Sequence, residues 1–215
     1  MARPNKNYEL KKEVLAKLAF ELFIEHGYEN TTITHIMHAA GLTKAGMYHY
    51  FSSKEEILDA AIDYGITQDI EETRKNMDEL SVEEKMLFFI RGNAAPNEFL
   101  QKLFQLKQHN QNSYAAYRIW ERLVHAYIPI MEGILKEGNK KGVYRTQYPR
   151  QTAEFVVLCS KALAEPNMLP SVNNDDLKLR IHVFLQLMSI WLDPNPEHAK
   201  QITALFEKIL SEIHE

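Results

Sequence analysis

The 215 residues predict an all-α fold: an N-terminal three-helix helix-turn-helix head and a C-terminal helical bundle. Three observations carry this expectation. Apolar residues recur every three to four positions almost throughout, with no sustained alternation of period two. Only short breaker clusters, among them Gly27, Gly41, "NAAPNE" and "EPNMLPSVNN", interrupt them. The charge is also divided. Residues 1–54 hold seven Lys/Arg against five carboxylates, a net of +2, while the rest of the chain holds 18 against 24, a net of -6.

Val14, Leu15, Leu18, Leu22 and Phe23 form one stripe and predict a first helix from about Tyr8 to His26, stopped by Gly27. Thr32 is the N-cap of a short second helix with Ile33, Ile36, Met37 and Ala40 inward. Gly41 breaks the chain, and Thr43 caps a third helix with Met47, Tyr50 and Phe51 inward. Ser53 and Glu56 have capping-box spacing and open a fourth helix reaching about Met77. Ser81 and Glu84 repeat that spacing for a fifth, ending near Asn93. A sixth helix is expected near 97–108 and a seventh near 113–141, which Pro129 is expected to kink or divide. Pro149 opens an eighth ending near Glu165, and a ninth spans about Asp175 to Leu192. Asn195 and Pro196 start the last, striped by Ala199, Ile202, Leu205, Phe206, Ile209 and Ile213. The expected division is a head of residues 1–54 and a body of 55–215, joined by the helix 54–77.

No Asp or Glu occurs between Thr31 and Lys54. With the apolar set turned inward, Thr43, Lys44, Ala45, Gly46, Tyr48 and His49 remain outside on the third helix, and Lys54 lies past its end. Hydroxyls and ammonium groups suit phosphate. Small residues let a helix settle into a major groove about 12 Å wide. A carboxylate there would repel the duplex, so its absence is informative.

The stretch "TTITHIMHAAGLTKAGMYHYFSSKEEIL" resembles the DNA-binding signature of the TetR (tetracycline-repressor-like) family of transcriptional regulators. The resemblance covers about residues 8–64. It rests on the Gly27-Tyr28 turn, the Thr32 cap, Gly41-Leu42-Thr43, the run Tyr48-His49-Tyr50-Phe51, and Ser53 to Glu56. The rest of the chain matches only in size, helicity and helix order. The resemblance implies a DNA-reading head and an all-helical body that binds a ligand and forms a homodimer. It implies that Thr32, Tyr48 and Lys54 hold phosphates of a double-stranded DNA operator, and that Thr43, Lys44, Ala45, Gly46 and His49 face bases or the adjoining backbone. One departure stands out: near the position of His35 many members carry a carboxylate, and this chain has His35 and His38.

Those two histidines are spaced to share one helix face, but no carboxylate or thiol nearby completes a site, so no metal and no cofactor are expected. The basic residues Arg3, Lys6, Lys11 and Lys12 are either a solvated terminus or a groove-following arm; the sequence leaves both open. Phe88, Phe89, Phe104, Tyr117, Trp120, His125, Tyr127, Met131 and Met168 are the candidate wall of a cavity for a small, largely apolar effector, the alternative being ordinary bundle core. The eighth and ninth helices read as apolar on nearly every face, which predicts a two-fold dimer interface through Phe155, Val156, Leu158, Cys159, Phe184, Leu185, Met188 and Trp191, the alternative being that both helices are interior to one subunit. Cys159 is the only cysteine and sits in an apolar run. No nucleophile elbow, phosphate loop, HExxH or GxGxxG occurs, so an enzyme is not expected. No apolar run approaches membrane-spanning length and no leader is apparent, so a cytoplasmic location is expected. The expected function is a ligand-responsive repressor released from a near-palindromic operator. The alternative is a helical ligand-binding or protein-interaction module that keeps the head only as a scaffold.

Overall fold

A computed structural model of the chain describes residues 6–91, 101–102, 114–164 and 174–212. Among these residues the chain forms α1 (Lys6–His26), α2 (Ile33–Ala40), α3 (Lys44–Tyr48), α4 (Lys54–Met77), α5 (Val82–Arg91), α6 (Tyr114–Lys141), α7 (Pro149–Ala164), α8 (Asn174–Leu192) and α9 (Pro196–Glu212). No strand occurs among them, only an isolated bridge between Tyr144 and Pro194. The fold is all-α, as expected. The helix anticipated near 97–108 lies outside the described residues except at 101–102, which are helical. The chain divides into two compact units, residues 1–73 with 96–123, and residues 74–95 with 124–215.

In the first unit, Leu15, Ala16, Ala19, Phe20 and Phe23 of α1 are buried with Ile36 of α2, Met47 of α3, Phe51, and Ile57, Leu58, Ala61 and Ile62 of α4. The expected stripe of α1 is displaced by part of a turn, because Ala16, Ala19 and Phe20 share the core face and Val14 is 54% exposed. The α1–α2 corner is closed by Thr31, fully buried, whose hydroxyl lies 2.8 Å from the Gly27 carbonyl and 3.2 Å from that of Leu22. Between α2 and α3, Gly41 adopts φ 63°, a conformation that side-chain-bearing residues resist. It donates its N–H to the His38 carbonyl at 3.2 Å, which turns the chain within three residues.

In the second unit, α8 packs against both α7 and α9, and α9 also packs on α5. Ser81 and Glu84 form the expected reciprocal capping box at the start of α5, with bonds of 2.8 and 3.2 Å. The anticipated break at Pro129 does not occur, since α6 runs unbroken through it. Pro129 and His125, one turn earlier, are both exposed, so the turn that lacks a helical hydrogen bond lies on the solvent side of α6. The connection after α6 folds back onto it. The Tyr144 ring lies so close to Gly138 that a Cβ there would meet it at 2.1 Å. Val143 accepts from Asn195 N–H at 3.0 Å, and the Asn139 side chain brackets Thr146 at 2.7 and 3.0 Å.

Candidate nucleic-acid interface

The third helix is only five residues long, and its geometry follows from three residues. Thr43 caps it, its hydroxyl accepting from Gly46 N–H at 3.2 Å. Met47 is fully buried and anchors it to the core. Gly46 sits against Thr43 Oγ1, where an added Cβ would lie at 3.3 Å. With Met47 inward, Thr43, Lys44, Ala45, Tyr48 and His49 are exposed and Gly46 is half-buried. Lys44 Nζ lies 6.0 Å from the Tyr48 ring centroid, so the ammonium and the phenol share one side of the helix.

Thr32, also exposed, caps α2 by accepting from His35 N–H at 3.2 Å. The reciprocal bond runs from Thr32 N–H to His35 Nδ1 at 3.5 Å. The histidine thus occupies the role that a glutamate or glutamine takes in a capping box. This accounts for the departure at position 35: the cap is kept and the negative charge is not. His38 is exposed one turn later.

Lys54 is only half-exposed. Its ammonium lies 4.1 Å from the Tyr28 ring centroid and donates to the Glu29 carbonyl at 3.4 Å. Burial lowers its pKa from the ordinary lysine value. At the same junction Glu56 accepts from the Ser52 N–H and hydroxyl, both at 2.8 Å, and from Lys12 at 3.0 Å. Those three donors hold its carboxyl down at about 2. The capping box expected between Ser53 and Glu56 is therefore half made. Ser53 Oγ accepts from Glu56 N–H at 3.1 Å, while the Glu56 carboxylate reaches past Ser53 to Ser52.

Several contacts at this surface were not part of the sequence reading. Tyr8 of α1 donates its hydroxyl to the His49 carbonyl at 3.2 Å and stacks on Tyr50 with ring centroids 5.0 Å apart. Tyr28 is 4% exposed and packs against Phe23 and Tyr114. Arg118 holds Asp59 of α4 with two bonds of 2.8 and 2.6 Å and also pairs with Glu121, while Arg122 reaches Asp63 at 2.9 Å. Only the last carried a signal, since two acids and two arginines sit at matching four-residue intervals in α4 and α6.

The other candidate residues are distributed as follows. In the second unit Phe89 meets Tyr127 edge-on at 5.8 Å, and the ammonium of Lys161, a buried residue, lies 4.4 Å from the Tyr127 ring. Met131 is fully buried, Phe88 is half-buried, and His125 is exposed and so turned away from any interior wall. In the first unit Tyr117 is 59% exposed, which likewise takes it off an interior wall, whereas the Trp120 indole N–H is buried without a hydrogen-bond partner. Phe104 and Met168 lie outside the described residues. A void of about 10 Å³ in the second unit is lined by Glu83, Met86, Leu87, Tyr144, Ile202 and Phe206, none of them a candidate residue.

Four of the residues expected at a dimer face, Val156, Phe184, Leu185 and Met188, are buried within the chain itself. The surface side of α8 is instead Leu179, Val183, Leu187 and Ile190, spaced by three and four, and Phe155 of α7 is 58% exposed beside Trp191, ring centroids 6.2 Å apart. Leu158 and Cys159 are half-buried, and burial pushes the Cys159 thiol up. The helices read as apolar all round because an inward and an outward stripe share each of them.

Among the described residues no group of three His, Cys, Asp or Glu could hold a metal ion, and no helix is long and apolar enough to cross a membrane. Residues 15–61 match the model for bacterial regulatory proteins, tetR family. The chain is 29% identical over 128 residues to a fatty acid metabolism regulator protein of Bacillus subtilis, 58% of this chain and 66% of that protein. It is 42% identical over 45 residues to an HTH-type transcriptional repressor, KstR2, of Mycobacterium tuberculosis, 21% of this chain and 22% of that protein. The matched stretch thus spans less than two thirds of either relative. A crystal structure of a tetR-family transcriptional regulator from Pectobacterium atrosepticum shares the fold, with a TM-score of 0.60 at 19% identity over 90% of this chain and all of that one.

Proposed function

We propose that this chain, whose residues 15–61 match the tetR family of bacterial regulatory proteins, is a transcriptional regulator of that family and works as follows. It is a cytoplasmic homodimeric repressor that holds a near-palindromic operator through two copies of α3 and is released by a small, largely apolar molecule bound in the helical body. Residues 1–54 act as the head and 55–215 as the body, with α4 between them. The observation that carries the DNA-reading role is the exposed face of α3. It presents Lys44, Ala45, Tyr48 and His49 in a stretch with no carboxylate from Thr31 to Lys54. Thr32, Tyr48 and Lys54 take phosphates. Thr43, Lys44, Ala45, Gly46 and His49 face base edges or the adjoining backbone. The half-buried state of Lys54 makes it the weaker of the two ammonium contacts.

The outward stripe of α8 with Phe155 supports dimerisation, because a contiguous exposed apolar surface of this kind is what a second subunit covers. An apolar effector is supported by the buried aromatic and thioether side chains of Phe89, Tyr127 and Met131 in the body, and by the fatty-acid-metabolism role named for one relative. Such an effector must bind the operator-competent and released states unequally, since equal binding shifts nothing. Binding of the full chain to the DNA upstream of its own gene, followed over a salt series, tests the proposal. Sequence-selective binding that weakens steeply with salt is expected. Equal affinity for a scrambled duplex of the same length refutes it.

A further inference from the structure

We infer that Tyr8, in the first turn of α1, is a positioning residue for His49 and so sets operator selectivity from outside the helix-turn-helix. The inference rests on the DNA-reading role of α3 proposed above. A helix of five residues leaves most of its end carbonyls without helical donors. Here the Tyr8 hydroxyl supplies one, donating to the His49 carbonyl at 3.2 Å across 41 residues of sequence. The Tyr8 ring stacks on Tyr50 at 5.0 Å and 26°, and it meets the His49 imidazole edge-on at 5.3 Å and 89°. His49 also lies edge-on to Tyr50, at 5.0 Å and 78°. The imidazole is therefore exposed to a partner yet touched by two phenol rings.

Core packing does not explain why Tyr8 is there. Lys6, Asn7, Glu9, Leu10 and Lys11 are exposed, and buried apolar residues of α1 begin only at Leu15. What Tyr8 reaches is the end of α3. An exposed side chain that is free to rotate loses that freedom when it binds, whereas one already held by its neighbours has less to lose. By this argument Tyr8 confers about a two- to tenfold advantage on any contact made by His49. The effect falls on sequence-selective binding, because Tyr8 carries no charge and adds nothing to phosphate neutralisation.

The test uses the full-length chain and fluorescence anisotropy on two duplexes, the DNA upstream of its own gene and a scrambled sequence of equal length. Tyr8→Ala is expected to weaken the first about three- to tenfold, to leave the second unchanged, and to leave the salt slope unaltered. Tyr8→Phe keeps the rings and loses only the hydroxyl, so it folds as the parent does and gives a smaller loss of about twofold. His49→Ala combined with Tyr8→Ala is expected to bind as His49→Ala alone does, because the two act as one unit. Additive losses, equal losses on both duplexes, or full affinity in both Tyr8 variants overturn the inference. If the parent chain itself fails to distinguish the two duplexes, the DNA-reading role falls and the inference falls with it. If the parent distinguishes them and the Tyr8 variants do so equally well, only the positioning role is lost.

Discussion

The surfaces that α2 and α3 turn to solvent and those that α7 and α8 turn to solvent are made by the same device and have opposite chemistry. In each pair one stripe is buried and the next stripe around the helix is left outside. On the first pair the outer stripe is Thr32, His35, Lys44, Tyr48 and His49; on the second it is Phe155, Leu179, Val183, Leu187 and Ile190. Hydroxyl, imidazole, ammonium and phenol groups keep their hydration until an equally polar surface replaces it. The aliphatic stripe is poorly served by water at all times. The first surface fits an intermittent contact with a polyanion, the second a contact between subunits that persists. The lesson is that burial within one chain separates the two uses. Apolar content does not, for Met188 and Ile190 are both hydrophobic and only Ile190, 71% exposed, is available to a second chain.

The contrast can be broken most forcefully at its apolar end. Ile190→Asp places an unpaired charge in the proposed subunit contact, and the dimer dissociation constant measured by sedimentation should rise by about a hundredfold or more. The fold of the single chain should survive, because Ile190 is on its surface. An unchanged sedimentation profile would mean that the stripe faces no subunit. A smaller effect, confined to the interior of the second unit, is expected at Gly138. An alanine Cβ there meets the Tyr144 ring, so Gly138→Ala should lower unfolding free energy by about 1–3 kcal/mol in urea titration. Gly133 lies on the same helix with open space around it, and Gly133→Ala should be neutral or stabilising by up to about 1 kcal/mol. Equal behaviour of the two glycines would show that the Tyr144 ring yields without cost.

At the polar end, Lys44→Ala should weaken operator binding by a similar factor on every sequence and, with one Lys44 lost from each of two subunits, reduce the slope of log affinity against log salt by about 1.8. A slope that does not change would take Lys44 away from the phosphates. The mildest change concerns acid. Glu56 has its pKa depressed to about 2 from an ordinary 4.5, so its contribution to stability is complete above about 4.5 and is lost as the pH falls toward about 2. Glu56→Gln should flatten the fall of the thermal midpoint across that interval. Parallel curves for the two proteins would show that Ser52 and Lys12 do not hold the carboxylate in solution.

Most of the head was legible because its geometry is local. Caps at Thr32 and Thr43, the glycine turn at Gly41 and the inward Met47 each follow from residues within a few positions, and each stands where it was expected. What was not legible depends on contacts far along the chain. The link from Tyr8 to His49 spans 41 residues and leaves no trace in any window of helical length, while the Arg118–Asp59 pair spans 59 and its matched spacing alone does not say which helices meet. The outward stripe of α8 was missed for a different reason. A run with Phe184, Leu185, Leu187, Met188 and Ile190 contains two apolar faces, and the sequence does not say which the chain covers itself. At Pro129 the sequence left a kink and a division both open, and the division does not occur: the residue lies on the exposed side of α6 and the helix continues through it.

Histidine at position 35 gives the start of α2 a property that a carboxylate would not. Because Nδ1 accepts from Thr32 N–H, the second ring nitrogen, Nε2, stays available as a donor, so one side chain both fastens Thr32 and keeps a donor in hand. The residue that ties down the helix end therefore leaves the approach to it open to an acidic visitor, since no carboxylate stands there to turn one away.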